Sequence, residues 1–288
     1  MFQPAQYELL DFGDGRRLER FGRLLLDRPC PAAESARPAT AGLWSAADAR
    51  FQRLDADQGR WVLRGEPPRQ WTIAHGRLVF QLKRTDFGHV GLFPEQAENW
   101  SWIAEQVGRR KTDGSGGVKV LNLFAYTGGS TLAAAAAGAA VTHVDAARNI
   151  VAWARRNAEL SGLGAAPIRW IAEDAMKFVR REIRRGNRYD GVILDPPSYG
   201  HGAHGEAWQL ATDLPPLLAA CAELTDHRPR FILLTCHTPG FSPPILRELL
   251  AAAFGSPAGT HIAAAPLVLV ASTGQELPSG VAAQWGDR

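Results

Sequence analysis

Three short apolar runs in this chain each lead to a carboxylate. Val141-Thr-His-Val ends in Asp145, Ile168-Arg-Trp-Ile-Ala-Glu in Asp174, and Gly191-Val-Ile-Leu in Asp195. Upstream, Val120-Leu-Asn-Leu-Phe-Ala-Tyr-Thr runs into paired glycines, Gly128 and Gly129. Without a Cβ the backbone can turn sharply there, and a ligand can approach it closely. A buried strand, a glycine turn, a helix and then an acid about 20 residues on is the spacing at which nucleotide folds hold ribose hydroxyls. That chemistry is the binding of a nucleoside cofactor. The spelling is not Gly-x-Gly-x-x-Gly, because Ser130, Thr131 and Leu132 follow the pair. Asp195 precedes Pro196 and Pro197, each of which fixes its own φ, so the carboxylate stands on a rigid shelf.

The string Phe124-Ala-Tyr-Thr-Gly-Gly129 resembles motif I of the class I S-adenosylmethionine (SAM) methyltransferases. More narrowly, it is similar to the turn of a family of bacterial 23S rRNA methyltransferases, and Asp195-Pro-Pro197 resembles motif IV of many nucleic-acid base methyltransferases. The resemblance covers roughly residues 80 to 285. It implies a SAM site made by Phe124, Ala125, Tyr126, Thr127 and Gly128, by Asp145 with Ala146, by Asp174 with Ala175, and by Asp195. In Lys83–Gln96 the same family carries a glycine-containing aromatic turn followed by an acid and Gln, which implies cofactor contacts from Phe93 and Gln96. Asp174 also suits the N-cap of the helix that follows it. The N-terminal part lacks the PUA-type RNA-binding domain that some members carry.

For catalysis the resemblance implies Asp195 and Pro196 at the target base, and Cys236 in a Thr-Cys setting as in RNA 5-methylcytosine enzymes. There a thiolate adds to C6 of the pyrimidine and makes C5 nucleophilic, which requires a lowered thiol pKa. His237 is a poor activator, since consecutive strand side chains face opposite ways. Two alternatives stay open: Cys236 as a core residue, and direct transfer to a base nitrogen.

The elements that must position these residues alternate. Strands are expected near 120, 141, 168, 191, 231, 265 and 281, with helices at 130–140, 146–161, 176–185 and 244–254 and one beginning at Trp208. This is an α/β, Rossmann-like doubly wound class I methyltransferase sheet with an antiparallel edge strand. It occupies 85–288, after a small β-rich domain at 1–84 whose short strands lie at Tyr7–Leu10, Trp61–Leu63, Trp71–Ile73 and Leu78–Leu82. Arg28–Ala41, with three prolines, reads as an extended connector. Arg16, Arg17, Arg20 and Arg23 make the N-terminal part locally basic, and Trp44, Trp61 and Trp71 supply rings, a mix that suits RNA or a solvated face. Lys177, Arg180, Arg181, Arg184 and Arg185 on one helix read as a solvated face. Arg109–Gly117 is a basic glycine-rich loop, and His201 and His204 sit in a loop over the site.

Composition narrows the class. A formal charge of +3 over 288 residues does not diagnose nucleic-acid binding by itself. Three cysteines without metal-ligand spacing argue against a disulfide framework or a zinc site. No secretion signal or membrane-spanning run is visible, so the expectation is a cytoplasmic enzyme with no membrane and no metal. An RNA substrate, with rRNA foremost, is the partner the resemblance implies; a homodimer is compatible with it.

Overall fold

The computed structural model describes residues 1–55, 58–109, 117–201, 207–255 and 260–287. Most of the expected basic loop, and His204, lie outside the described residues. Two units form: Met1–Ala97 with Val268–Ser279, and Glu98–Leu267 with Gly280–Arg288.

In the first unit, β1 (Tyr7–Gly13), β2 (Arg16–Phe21), β3 (Leu24–Pro29), β4 (Ala49–Arg53) and β5 (Gly59–Leu63) form a five-stranded sheet in that order. A separate hairpin joins β6 (Gln70–His75) to β7 (Leu78–Lys83). Between β1 and β2 the two turn residues are both left-handed, Asp14 at φ 49° and Gly15 at φ 72°. Their twist matches the flanking strands. The expected extended connector is only partly extended. Arg28 and Pro29 finish β3, and 3₁₀ turns occupy Pro31–Ala33 and Ala41–Ala46. Asp11, fully buried, gathers this stretch by accepting from the Ala39 and Thr40 amides and from Trp44 Nε1.

The arginines expected to make a basic face are largely spent internally. Arg16 pairs with Asp27 at 2.5 Å, Arg17 with Glu19 at 3.2 Å and Arg20 with Glu8 at 3.4 Å. Arg23 is exposed, and none of the ion pairs among the described residues uses it. The buried carboxylates Asp27 and Glu19 beside Arg16 and Arg17 turn sequence-level basicity into packing.

The second unit opens with α1, which spans Ala97–Gly108 and so begins at the unit boundary. Then β8 (Lys119–Leu123), α2 (Gly129–Ala136), β9 (Ala140–Asp145), α3 (Arg148–Leu160), β10 (Ile168–Ala172), α4 (Ala175–Arg184) and β11 (Gly191–Leu194) alternate. A short hairpin of β12 (Tyr199–His201) and β13 (Ala207–Gln209) precedes α5 (Leu210–Leu224), β14 (Phe231–Cys236) and α6 (Pro243–Phe254). Two long strands, β15 (Thr260–Val270) and β16 (Glu276–Asp287), close the chain. The sheet order is β10-β9-β8-β11-β14-β16-β15. Its first five strands are parallel, and β16 runs antiparallel to β14. The antiparallel strand therefore lies inside the edge, with β15 outside it.

Every residue of β11 and β14 is buried, which is why these strands read as unbroken apolar runs. Two expected boundaries move. The helix expected over 130–140 ends at Ala136, because Gly138 at φ 100° ends it and Ala140 already begins β9. Trp208 lies in the β12–β13 hairpin and not at a helix start. Strand order reverses between β8 and β11, and ligands bind at the carboxyl ends of strands at such a switch point. Among the described residues no helix is long and apolar enough to cross a membrane.

Candidate active site

The turn after β8 is left-handed at alternate residues: Phe124 at φ 54°, Tyr126 at φ 46° and Gly128 at φ 92°. For non-glycine residues that conformation costs about 1–3 kcal/mol each, and it persists only where the surroundings hold it. They do. The Tyr126 amide donates to Asp145 Oδ2 at 2.9 Å, Ala125 N–H donates to the Val144 carbonyl at 3.0 Å, and Asn157 Nδ2 donates to the Thr127 carbonyl at 2.9 Å. A Cβ on Gly129 would stand 2.6 Å from the Trp100 ring, and one on Gly128 would stand 3.2 Å from the Ala154 methyl. The turn is thus seated tightly from beneath.

Beneath it, Asn122 Nδ2 donates to Thr131 Oγ1 at 2.9 Å, and that hydroxyl shares a hydrogen bond with His143 Nδ1 at 2.9 Å. These side chains come from β8, α2 and β9, so one buried chain of polar groups ties the three elements together.

Asp145 ends β9 beside the turn. Its Oδ1 accepts from the Ala147 amide at 3.0 Å. Burial raises its pKa, opposed by the two amides that donate to it. Ala146 is exposed next to it. Asp174, after β10, caps α4 by accepting from the Lys177 amide at 2.8 Å, and Ala175 is buried behind it. The cap alternative for Asp174 is therefore realised, with its second oxygen still available.

Asp195 follows β11. Thr235 Oγ1 donates to its Oδ1 at 2.5 Å, and His237 Nε2 lies 3.3 Å from that same oxygen. Pro196 is buried and Pro197 exposed, and the Pro197 carbonyl accepts from Trp208 Nε1 at 2.8 Å. The Trp208 ring lies 5.0 Å from that of Phe124, so the glycine turn and the proline shelf share an aromatic wall. Tyr199, four residues beyond Asp195, is 77% exposed.

Cys236, for which the sequence leaves both a nucleophile and a core residue open, lies among apolar side chains. It is 1% exposed, pairs with Val281 across the sheet and belongs to the apolar core. Burial pushes its thiol pKa up; hydrogen bonding to Thr238 counters this, and the nearby Asp195 charge adds to it. Side chains alternate along a strand, and here Thr235 and His237, two apart, are the pair that meets Asp195. Neither is among the expected site residues, nor are Trp208 and Tyr199. The signal for the first two was the same alternation that separates His237 from Cys236. Phe93 and Gln96 belong to the first unit, where Phe93 packs edge-on against His89 at 5.6 Å and Gln96 is buried. His201 lies in β12.

The sequence profile of the S-adenosylmethionine-dependent methyltransferase family matches residues 33–257. The chain belongs to this family. A SAM-dependent methyltransferase from Agrobacterium tumefaciens is 38% identical, with a TM-score of 0.91 over 100% of this chain and 92% of that one. The methyltransferase SMU.776, solved with SAH, shares the fold at 19% identity, with a TM-score of 0.76 over 98% of this chain and 75% of that one. Among curated proteins, ribosomal RNA large subunit methyltransferase K of Neisseria meningitidis serogroup B is 35% identical over 53% of this chain and 42% of its own length. Methyltransferase I of Aeromonas salmonicida is 31% identical over 48% of this chain and 33% of its own length. The match to these curated relatives spans less than half of their length.

The residues fit SAM on their own chemistry. The cofactor carries ribose hydroxyls and an adenine amino group, donors that a carboxylate accepts, and Asp145, Asp174 and Asp195 lie at or just beyond the carboxyl ends of three parallel strands of one sheet. A turn without a Cβ at Gly128, with its Tyr126 amide on the Asp145 carboxylate, admits a ligand close to the backbone.

Proposed function

We propose that this methyltransferase modifies RNA, at a base of large-subunit rRNA, by direct transfer to a base nitrogen. The observation that carries the reading is the Asp195 carboxylate, held by Thr235 and His237 on a proline shelf that leads, four residues on, to the exposed Tyr199. A planar base can stack on such a ring while its edge is read by hydrogen bonds. The curated relatives' rRNA names support the same substrate class.

In this reading Asp145 receives the ribose hydroxyls, Asp174 the adenine amino group, and the Phe124–Gly128 turn the amino-acid end of the cofactor. Bound SAM supplies an electrophilic methyl group on a sulfonium. Asp195, with the main-chain carbonyl of Pro196, accepts hydrogen bonds from the target nitrogen and turns its lone pair outward. The nitrogen would gain the methyl as the methyl's bond to the sulfonium sulfur breaks to leave a neutral thioether, and would lose a proton, which Asp195 would accept. Thr235 holds the carboxylate through this, since its hydroxyl already donates to Oδ1. Cys236 has no part in it, because a thiol with raised pKa in the core supplies little thiolate.

The test is methyl transfer from labelled SAM to large-subunit rRNA from cells lacking the gene, followed by nucleoside mass spectrometry, with Cys236→Ala alongside. Label on a base nitrogen, with the variant within about twofold of wild type, is expected; a twofold change is about 0.4 kcal/mol. Labelled 5-methylcytidine together with an inactive Cys236→Ala protein would restore the thiolate route. RNA left unlabelled by a protein that binds SAM would point to a small molecule or a protein as substrate.

A further inference from the structure

Helix α4 carries two sets of cations with different fates. Arg181 is paired with Glu173, and Arg185 reaches Glu182 at 3.6 Å. Lys177, Arg180 and Arg184 are exposed, and none of the ion pairs among the described residues uses them. At spacings of three and four they form one stripe, about 10 Å long at 1.5 Å per residue. Phe178, Val179 and Glu182 are buried on the same helix.

That stripe lines a groove against α5. One cavity of about 530 Å³ is bounded by Lys177, Arg180, Arg184, Trp208 and Pro216 among others. A second of about 410 Å³ shares Met176, Arg180, Arg184 and Pro216 with it, so the two are continuous along the helices. Acids also border it: Asp174, which accepts from the Lys177 amide through one oxygen and keeps the other for the cofactor in the reading above, Asp213, which accepts from the Gln209 amide, and Glu223 at the far end. The near end is Trp208, whose indole donates to the Pro197 carbonyl on the shelf that carries Asp195.

We infer that the substrate RNA enters along this α4–α5 groove as a single strand, with phosphates on Lys177, Arg180 and Arg184 and the target base passing Trp208 to reach Asp195. The inference rests on the RNA reading above and adds the surface that holds the chain. Unpaired cations along an open groove complement a phosphate backbone, and the aromatic wall at its mouth suits an unstacked base.

The experiment compares wild type with Lys177→Gln/Arg180→Gln/Arg184→Gln and with Arg155→Gln/Arg228→Gln/Arg247→Gln, which removes equal charge at exposed positions elsewhere. Binding of a fluorescent 20-nucleotide uridine RNA is followed against salt, beside methylation of rRNA and calorimetry with SAM. Each neutralised phosphate contributes about 0.7 to the slope of log affinity against log salt for a single strand, so the groove variant should lose about 2 from that slope. Its KM for rRNA should rise at least about tenfold with kcat within about threefold, SAM affinity unchanged, and the control variant close to wild type; tenfold is about 1.4 kcal/mol. A groove variant that keeps the wild-type slope and KM while wild type methylates RNA would overturn the groove and leave the RNA reading standing. Equal losses in both variants would also overturn it, since net charge would then be the cause. Wild type that binds SAM but neither binds nor methylates RNA would remove the RNA reading and the groove with it.

Discussion

His143 is a single residue whose surroundings settle its charge. It is fully buried under the glycine turn, against Thr131 and the Trp170 ring, and burial pushes its pKa down to about 3. The unfolded chain takes up a proton near pH 6.5 that the folded one refuses, so stability is complete above 6.5 and declines as pH falls toward 3. His143→Gln should flatten that decline by up to about 1.4 kcal/mol per pH unit, read from urea midpoints measured between pH 7.5 and 5. Midpoints that fall as steeply in the variant as in wild type would refute the assignment. His89 in the first unit, pushed down to about 4 by burial and by Arg28 and Arg17, contributes with the same sign and stays in both proteins. Neither shift was legible in the sequence: a histidine in an apolar strand reads the same whether or not a hydroxyl lies beside it.

At the scale of elements, the glycine turn works because of what α1 places under it. The strand, turn and helix were readable from apolar runs and paired glycines, but nothing in Gly129 announced Trp100. With the indole 2.6 Å from the position of an added Cβ, Gly129→Ala must shift the turn or the helix. SAM affinity should fall at least about tenfold by calorimetry, or about 1.4 kcal/mol. Trp100→Leu added to that variant should return part of it by opening space; a double variant no better than Gly129→Ala would show that the ring is not the obstacle. The hairpin of β12 and β13 was hidden for a different reason. Tyr199-Gly-His and Ala207-Trp-Gln are three residues each, too short for periodicity to register, and their pairing is decided across the sequence between them.

At the scale of the whole molecule, the first unit is organised around a charge that apolar patterning does not reveal. Glu19, fully buried, meets Arg28 at 2.6 Å and Arg17 at 3.2 Å and accepts from the Tyr7 hydroxyl at 3.0 Å. Glu19→Gln would leave the buried Arg28 and the partly buried Arg17 short of their counter-charge, at a cost of about 3–5 kcal/mol. Calorimetric scanning should then show a midpoint lowered by about 10 °C. Asp14→Asn, which breaks an exposed pair with Arg37 at 3.6 Å, should move it by less than about 2 °C. Equal shifts in the two variants would mean that burial is not what gives the Glu19 cluster its weight.

By itself the sequence determined the alternation of buried strands and helices, the glycine turn and the three carboxylates at strand ends. Those features are local: side-chain periodicity, backbone freedom at glycine and restriction at proline act within a few residues. Tertiary structure decided which side chains face one another at long range. It set Thr235 and His237 on Asp195, put Cys236 in the core, and consumed the N-terminal arginines in ion pairs while leaving Lys177, Arg180 and Arg184 open on a groove. Charge and reactivity depend on burial and on neighbours distant in sequence, and those exist only once the chain has folded.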